Sequence, residues 1–260
     1  MRAKAFVRAR TDGLALPAYP GTKPGTLEEA YAIQDAAMDA FPDRLTGWKV
    51  GGINGDWRKT LDVTRLVGPV YSTYTHDYNG SVIDMPVFAS GFAAVEGEVT
   101  AIISEDVPSR KTHFTLDDAR ALVASLHVGI EIASSPFPEI NDHGPLVTIS
   151  DFGNNRGLIL GDEIPGWQAL KIESWTFETR INGRVVGTSA PVGMPGGPLE
   201  SVRYALENTA QRGHPMKAGM KILTGAATGV HQAYAGDEAS VTLGGAHEIT
   251  CKLVPFRKAD

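Results

Sequence analysis

A single cysteine, Cys251, stands in 260 residues, so an intrachain disulfide is excluded. It lies in the strand-like run 248–254 and is expected as a small core residue. No apolar run approaches the length of a membrane span. Residues 1–8 carry positive charge but lack the apolar segment of a secretion signal. There is no Lys/Arg stripe, and with a formal charge of −6 nucleic-acid binding is not expected. These absences predict a soluble cytoplasmic protein with neither membrane nor nucleic-acid partners, in which Asn79-Gly80-Ser81 is a turn and not a glycosylation site. The glycines of 51–55 lack the Lys-Ser/Thr of a phosphate loop. Asp151-Phe152-Gly153 matches a kinase tripeptide without the lysine-bearing strand or catalytic loop that would give it meaning.

What is present is an ordinary globular composition, 42% hydrophobic and 21% charged, in a chain long enough for a sizeable core. From Thr26 to Phe41 apolar residues recur at helical spacing behind a Thr26/Glu29 capping box, with Pro42 closing the helix. Residues 47–52 read as a strand running into a glycine turn and place Lys49 between Trp48 and Val50. Residues 54–80 are rich in turn formers and predict loops with short strands, suited to a mobile cover. A second helix is predicted over 115–126 with Thr115 as N-cap. Beyond residue 145 strands dominate: 146–149, 157–160, and 172–181 turning through Asn182-Gly183 into Val185-Val186. A third helix spans 198–212 with Gly213 just past its end, and 222–224, 239–243 and 249–254 are again β. No repeat or long linker appears. The pattern predicts an α+β fold with mixed sheets: a helical cap and loop region over 1–80 and a β-rich body over 81–260, in one continuous domain.

Three glutamates stand out. Glu96 and Glu98 lie in the apolar run 95–103 and, two apart in a strand, share a face. Glu131 lies in 128–132 with apolar neighbours on both sides. Alternating glutamates on a strand usually mark a wet sheet face, but Glu131 has no nearby basic residue in sequence, and a buried unpaired carboxylate must be neutralised, paired or metal-bound. A hard divalent ion, Mg2+ or Mn2+, suits an all-carboxylate set and leaves positions for a chelating substrate.

In order along the chain, Gly47-Trp48-Lys49-Val50-Gly51, Glu96-Gly97-Glu98, Gly129-Ile130-Glu131-Ile132, Ser150-Asp151 leading to Gly157-Leu158-Ile159-Leu160-Gly161, and Ala218-Gly219 to Thr224-Gly225 with Ala235-Gly236-Asp237 resemble the 2-keto-4-pentenoate hydratase family of the fumarylacetoacetate hydrolase superfamily. The resemblance implies a mixed β-roll core behind a helical N-terminal part, and a divalent metal on Glu96, Glu98 and Glu131. It also implies Lys49 as acid/base group, substrate contacts at Asp151, Asn154 and Thr224, and a homo-oligomer. Without it, a lone lysine beside Trp48 reads as a snorkelling surface residue.

The implied reaction adds water to a 2-hydroxy-2,4-dienoate or 2-oxo-enoate, with the Lys49 pKa lowered toward neutrality by burial and metal charge. The sequence departs from the family at three places: Arg65-Leu66-Val67-Gly68-Pro69 replaces an Asp-Phe-Gly, Ser134-Ser135-Pro136 an Asp-Ser-Arg, and Asp151-Phe152-Gly153-Asn154 an Asp-Asn-Ala-Ser. Three rivals therefore stand beside the hydratase: a 2-oxo-enedioate decarboxylase; an acylpyruvate C–C hydrolase, needing a His/Glu pair from among His76, His127 or His231; and a non-catalytic protein that binds metal and oxo-acid.

Overall fold

The computed structural model describes residues 1–169, 171, 174–190 and 195–258. Helices α1 (Arg2–Asp12) and α2 (Leu27–Met38) come first, followed by β1 (Leu45–Gly52), α3 (Gly55–Leu61), β2 (Arg65–Tyr71), β3 (Thr75–Asp77), β4 (Ile83–Val87) and the long β5 (Phe92–Ile103). Next are α4 (Leu116–Leu122), β6 (Val123–Ser135), α5 (Pro145–Ser150) and β7 (Asn155–Glu163). The hairpin β8 (Phe177–Ile181) and β9 (Arg184–Ser189), helix α6 (Gly197–Gln211), β10 (Lys221–Ala226), β11 (His231–Gln232), β12 (Glu238–Leu243) and β13 (Ala246–Pro255) complete the described chain.

Two mixed sheets form an α+β fold of the β-roll type. The larger runs β2-β1-β10-β5-β6-β7-β3 with β11 added on β5, and the smaller runs β4-β13-β12-β8-β9. Strands β1, β2 and β3, all from the first 80 residues, thus lie in the same sheet as β5 and β6. The core contains Val95, Val99, Val128 and Ile130 of the larger sheet and Phe177, Val241, Ile249 and Leu253 of the smaller. Gly97 is what brings the sheets close: a Cβ there would lie 2.8 Å from Thr179 Oγ1 and 2.9 Å from Val241 Cγ1. Because side chains alternate along a strand, Gly97 facing the second sheet turns Glu96 and Glu98 to the opposite side.

Several predicted elements sit where expected. Thr26 accepts from Glu29 N, Thr115 caps α4 in a full capping box, Asn182 and Gly183 turn the β8/β9 hairpin with positive φ, and Cys251 is buried in β13. Others differ. The helix predicted over 115–126 ends at Leu122, because β-branched Val123 starts a strand that pairs with Ile103. Residues 146–149, predicted as a strand, lie in α5, where Pro145 occupies the first helical position. Residues 54–80, predicted as loops with short strands, hold the short strands β2 and β3 but also helix α3, and β2 is almost wholly buried, unlike a mobile cover. Of the strand predicted over 172–181, Phe177–Ile181 is β8, while Ile172 and Glu173 lie outside the described residues.

Candidate metal centre and active-site cavity

The antiparallel pairing of β5 with β6 puts Glu96 directly opposite Glu131 and Glu98 opposite Gly129. Two successive strands, separated in sequence only by the segment that carries α4, therefore deliver three carboxylates to one patch of one face. Gly129 leaves room there: a Cβ would fall 2.3 Å from Thr100 Oγ1. The register of β10 on β5 slips between Leu223 and Ala226, and the freed Gly225 N–H donates to Glu98 Oε2 at 2.5 Å. Glu131 Oε1 accepts from Asn155 Nδ2 at 2.9 Å and lies 3.3 Å from Lys49 Nζ. All three glutamates and Lys49 are buried, with Glu98 and Glu131 at 0% exposure.

Burial is the main reason the Glu96 carboxyl is raised to about 7; Lys49 pulls it down and Glu131 pushes it further up. Glu98 is raised well above the usual carboxylate range, by burial first and then by Glu131 and Glu96. Burial pulls the Lys49 ammonium down, but Glu131, Glu96 and Glu98 outweigh it and hold Lys49 above its ordinary value. The expected lowering toward neutrality therefore does not hold in the protein alone, where, among the described residues, Lys49 is the one cation that offsets the three carboxylates.

Among the described residues no three His, Cys, Asp or Glu side chains are already gathered into a metal-holding cluster; Lys49 Nζ stands beside Glu131 instead. The donor set nevertheless fits a hard divalent cation. Glu98 Oε1 and Glu131 Oε2 are buried without a hydrogen-bond partner, and one ammonium cannot neutralise three carboxylates.

A cavity of about 800 Å3 opens beside this cluster, with Lys49, Glu96 and Asn154 on its buried inner wall. Its outer wall includes Trp57 and Arg58 of α3, Asn141 and Thr148. Asn154 is 4% exposed and its Oδ1 has no partner. Asp151 and Thr224 lie behind the wall. Asp151 pairs with Arg10 at 2.5 Å and accepts from Ser135 Oγ at 2.6 Å, and Thr224 Oγ1 donates to Val99 O. Arg65, in the 65–69 segment, bonds Ser201 Oγ at 3.2 Å and the Pro195 carbonyl, turning toward α6. None of His76, His127 and His231 lines the cavity. His127 is held by Gly161 O and Ser125 Oγ.

Sequence reasoning did not single out Asn155, Arg10 or the α3 residues. Asn155 had no pattern to mark it, since its contact with Glu131 exists only in the β6/β7 pairing. For α3 the available signal was Asn54, an N-cap residue type at the N-cap position.

No family model matches the chain. It is 23% identical over 201 residues to a 2-keto-4-pentenoate hydratase of Paraburkholderia phymatum, covering 76% of this chain and 74% of the relative. Its fold is that of the 4-oxalocrotonate decarboxylase of Pseudomonas putida G7, solved with magnesium and adipate: TM-score 0.78 at 20% identity, over 97% of this chain and 95% of the other. It is also similar to a fumarylpyruvate hydrolase of Pseudomonas aeruginosa, solved with Mn2+ and pyruvate, with TM-score 0.60 at 15% identity over 83% and 91% of the two chains. The resemblance to 2-keto-4-pentenoate hydratases read from the motifs is met by these matches.

Proposed function

We propose that the protein is a divalent-metal-dependent hydro-lyase that adds water to a 2-hydroxy-2,4-dienoate or 2-oxo-enoate, giving a 4-hydroxy-2-oxo acid. The observation that carries this reading is the buried Glu96/Glu98/Glu131 cluster, with two unpartnered oxygens, whose Glu96 lines a cavity together with Lys49. Mg2+ or Mn2+ held by these three glutamates would supply Lewis acidity at the substrate carboxylate and 2-oxygen, where negative charge develops.

The chain's own residues supply the proton traffic and the orientation. Lys49, kept protonated by its carboxylate neighbours, holds the proton that ketonisation needs. The far carbon of the diene takes the Lys49 proton, the enol O–H gives its proton back to the Lys49 amine, and the remaining double bond becomes conjugated to the 2-oxo group. Water then adds across that bond, hydroxyl to C4 and hydrogen to C3. The Asn154 Oδ1 offers an acceptor at the inner wall. Asp151 and Thr224 serve the substrate from behind, Asp151 by holding the Arg10 and Ser135 side chains and Thr224 by holding the Val99 carbonyl. We also assign a homo-oligomer, checked by light scattering at micromolar protein; a monomer would remove that assignment.

One observation favours a second reading. Arg58 lines the exposed end of the cavity and forms no salt bridge to another described residue. A guanidinium there suits a second, distal carboxylate, which is the substrate pattern of a 2-oxo-enedioate decarboxylase. Metal-stripped protein reloaded with Mg2+ or Mn2+ should consume a 2-hydroxy-2,4-dienoate, followed by its ultraviolet absorbance. Lys49→Met should lower kcat by about 10² to 10⁴ with a smaller effect on KM. Release of CO2 from a 2-oxo-enedioate with no loss of dienoate would establish the decarboxylase instead, and turnover of neither would leave a binding protein.

A further inference from the structure

The loop carrying Asn154 winds the wrong way. Phe152, Gly153 and Asn154 have φ of 55°, 63° and 66° in succession, and the left-handed region is unfavourable for residues with a Cβ. Strain of this kind persists only where the surroundings over-determine the backbone.

Here one side chain from the far end of the chain does so. Arg10, on α1, donates through Nε to Asp151 Oδ1 at 2.5 Å and through Nη2 to the Asp151 carbonyl at 3.1 Å. It donates through Nη1 to the Asn155 carbonyl at 2.8 Å and through Nη2 to the Ser134 carbonyl at 3.2 Å. Asp151 and Asn155 are the two residues that flank the left-handed triplet, so a single guanidinium clamps both ends of it. Arg10 is 3% exposed and Asp151 0%. Gly68 clears the space beneath, since a Cβ there would lie 2.3 Å from Phe152 O, and Gly153 packs on the Lys49 stem. What the clamp fixes is functional: Asn154 on the cavity wall, and the Asn155 amide 2.9 Å from Glu131 Oε1.

We propose that Arg10 is a positioning residue of the site. By clamping Asp151 and Asn155 it holds the left-handed loop, and through the Asn155 amide it orients Glu131 for a divalent cation. Helix α1 is thereby part of the metal centre although none of its side chains reaches the cavity. The inference rests on the proposed role of Glu131 as a metal ligand. The planar fork of Arg10 is essential to it, because lysine could balance the Asp151 charge but could not span both flanks.

The test is Mn2+ titration calorimetry on metal-stripped full-length protein, alongside thermal unfolding. Asn155→Leu, which leaves the Arg10–Asp151 pair in place, and the charge-balanced double variant Arg10→Met/Asp151→Asn should each weaken Mn2+ about 10- to 100-fold, the range for residues that orient metal ligands. Arg10→Lys should not restore the affinity. Mn2+ affinity within twofold of the parent in folded Asn155→Leu overturns the proposal, and that variant decides the matter if the double variant does not fold. The underlying reading fails separately: the parent would bind no Mn2+, or Glu131→Gln would bind it as tightly as the parent.

Discussion

Three buried carboxylates face one ammonium, and that imbalance sets what each residue can do. An uncompensated buried charge is expensive, so the cluster either takes up protons, as the raised Glu96 and Glu98 show, or takes up a cation. Replacing Glu96, Glu98 or Glu131 singly by Gln is expected to weaken Mn2+ by tenfold or more, at least the size of an outer-shell effect. Calorimetry showing unchanged affinity in all three would defeat the ligand assignment. The glutamates were legible because strand alternation alone places Glu96 and Glu98 on one face. Lys49 was legible only through family resemblance, since its partner Glu131 lies on another strand and nothing near Lys49 in sequence announces it.

Cys251 gives a second residue-scale test. Burial pushes its thiol up to about 12. A native acid with a raised pKa keeps its proton while the unfolded chain loses it. Its contribution to stability is therefore complete below about 8.5 and is lost as pH rises from there toward 12. Native protein at pH 8 should leave a disulfide-exchange thiol reagent unreacted, with one thiol released in urea. Cys251→Ala should flatten the fall in stability above about pH 9. Labelling of the folded protein at the rate of a free thiol would contradict the burial.

At the scale of elements, the close approach of the two sheets depends on Gly97. Gly97→Ala would push a methyl against Thr179 and Val241, both buried, and overpacking of this sort costs about 1–3 kcal/mol. Urea denaturation should show that loss; a value within experimental scatter of the parent would mean that the sheets part without penalty. Elements with their own chemical punctuation were readable: the Thr115 N-cap, the Asn182-Gly183 hairpin and the Gly213 stop. Those decided by tertiary context were not. Leu146, Val147 and Ile149 form an apolar run too short to separate helix from strand by period, and Pro145 was the overlooked cue. Val123 to Leu126 continue a helical pattern in sequence, but pairing with β5 draws them into β6. Helix α1 carries Arg10 into the site from a segment whose sequence shows only scattered basic residues.

For the molecule as a whole, the strain and the charge collect in one place. Gly153 and Asn154 of the left-handed loop, Glu96 and the buried Lys49 all line one cavity, and the partnerless oxygens of Glu98 and Glu131 belong to the same glutamate cluster. A ligand that binds only the folded state and relieves that charge must stabilise the entire fold. Mn2+ or Mg2+ at a hundred times its dissociation constant should add about 2.7 kcal/mol. At about 2–4 °C per kcal/mol for a chain of this size, the melting temperature should rise by about 5–10 °C. The rise should vanish on adding a chelator and be absent in the triple variant Glu96→Gln/Glu98→Gln/Glu131→Gln, whose carboxamides lack the charge to hold the ion. Scanning calorimetry with and without metal makes the comparison directly. If the parent melts at the same temperature in both conditions, the glutamate cluster binds no divalent ion in the folded protein. If the triple variant is stabilised as much as the parent, the ion binds elsewhere, and the cluster's charge is met by Lys49 and by protons alone.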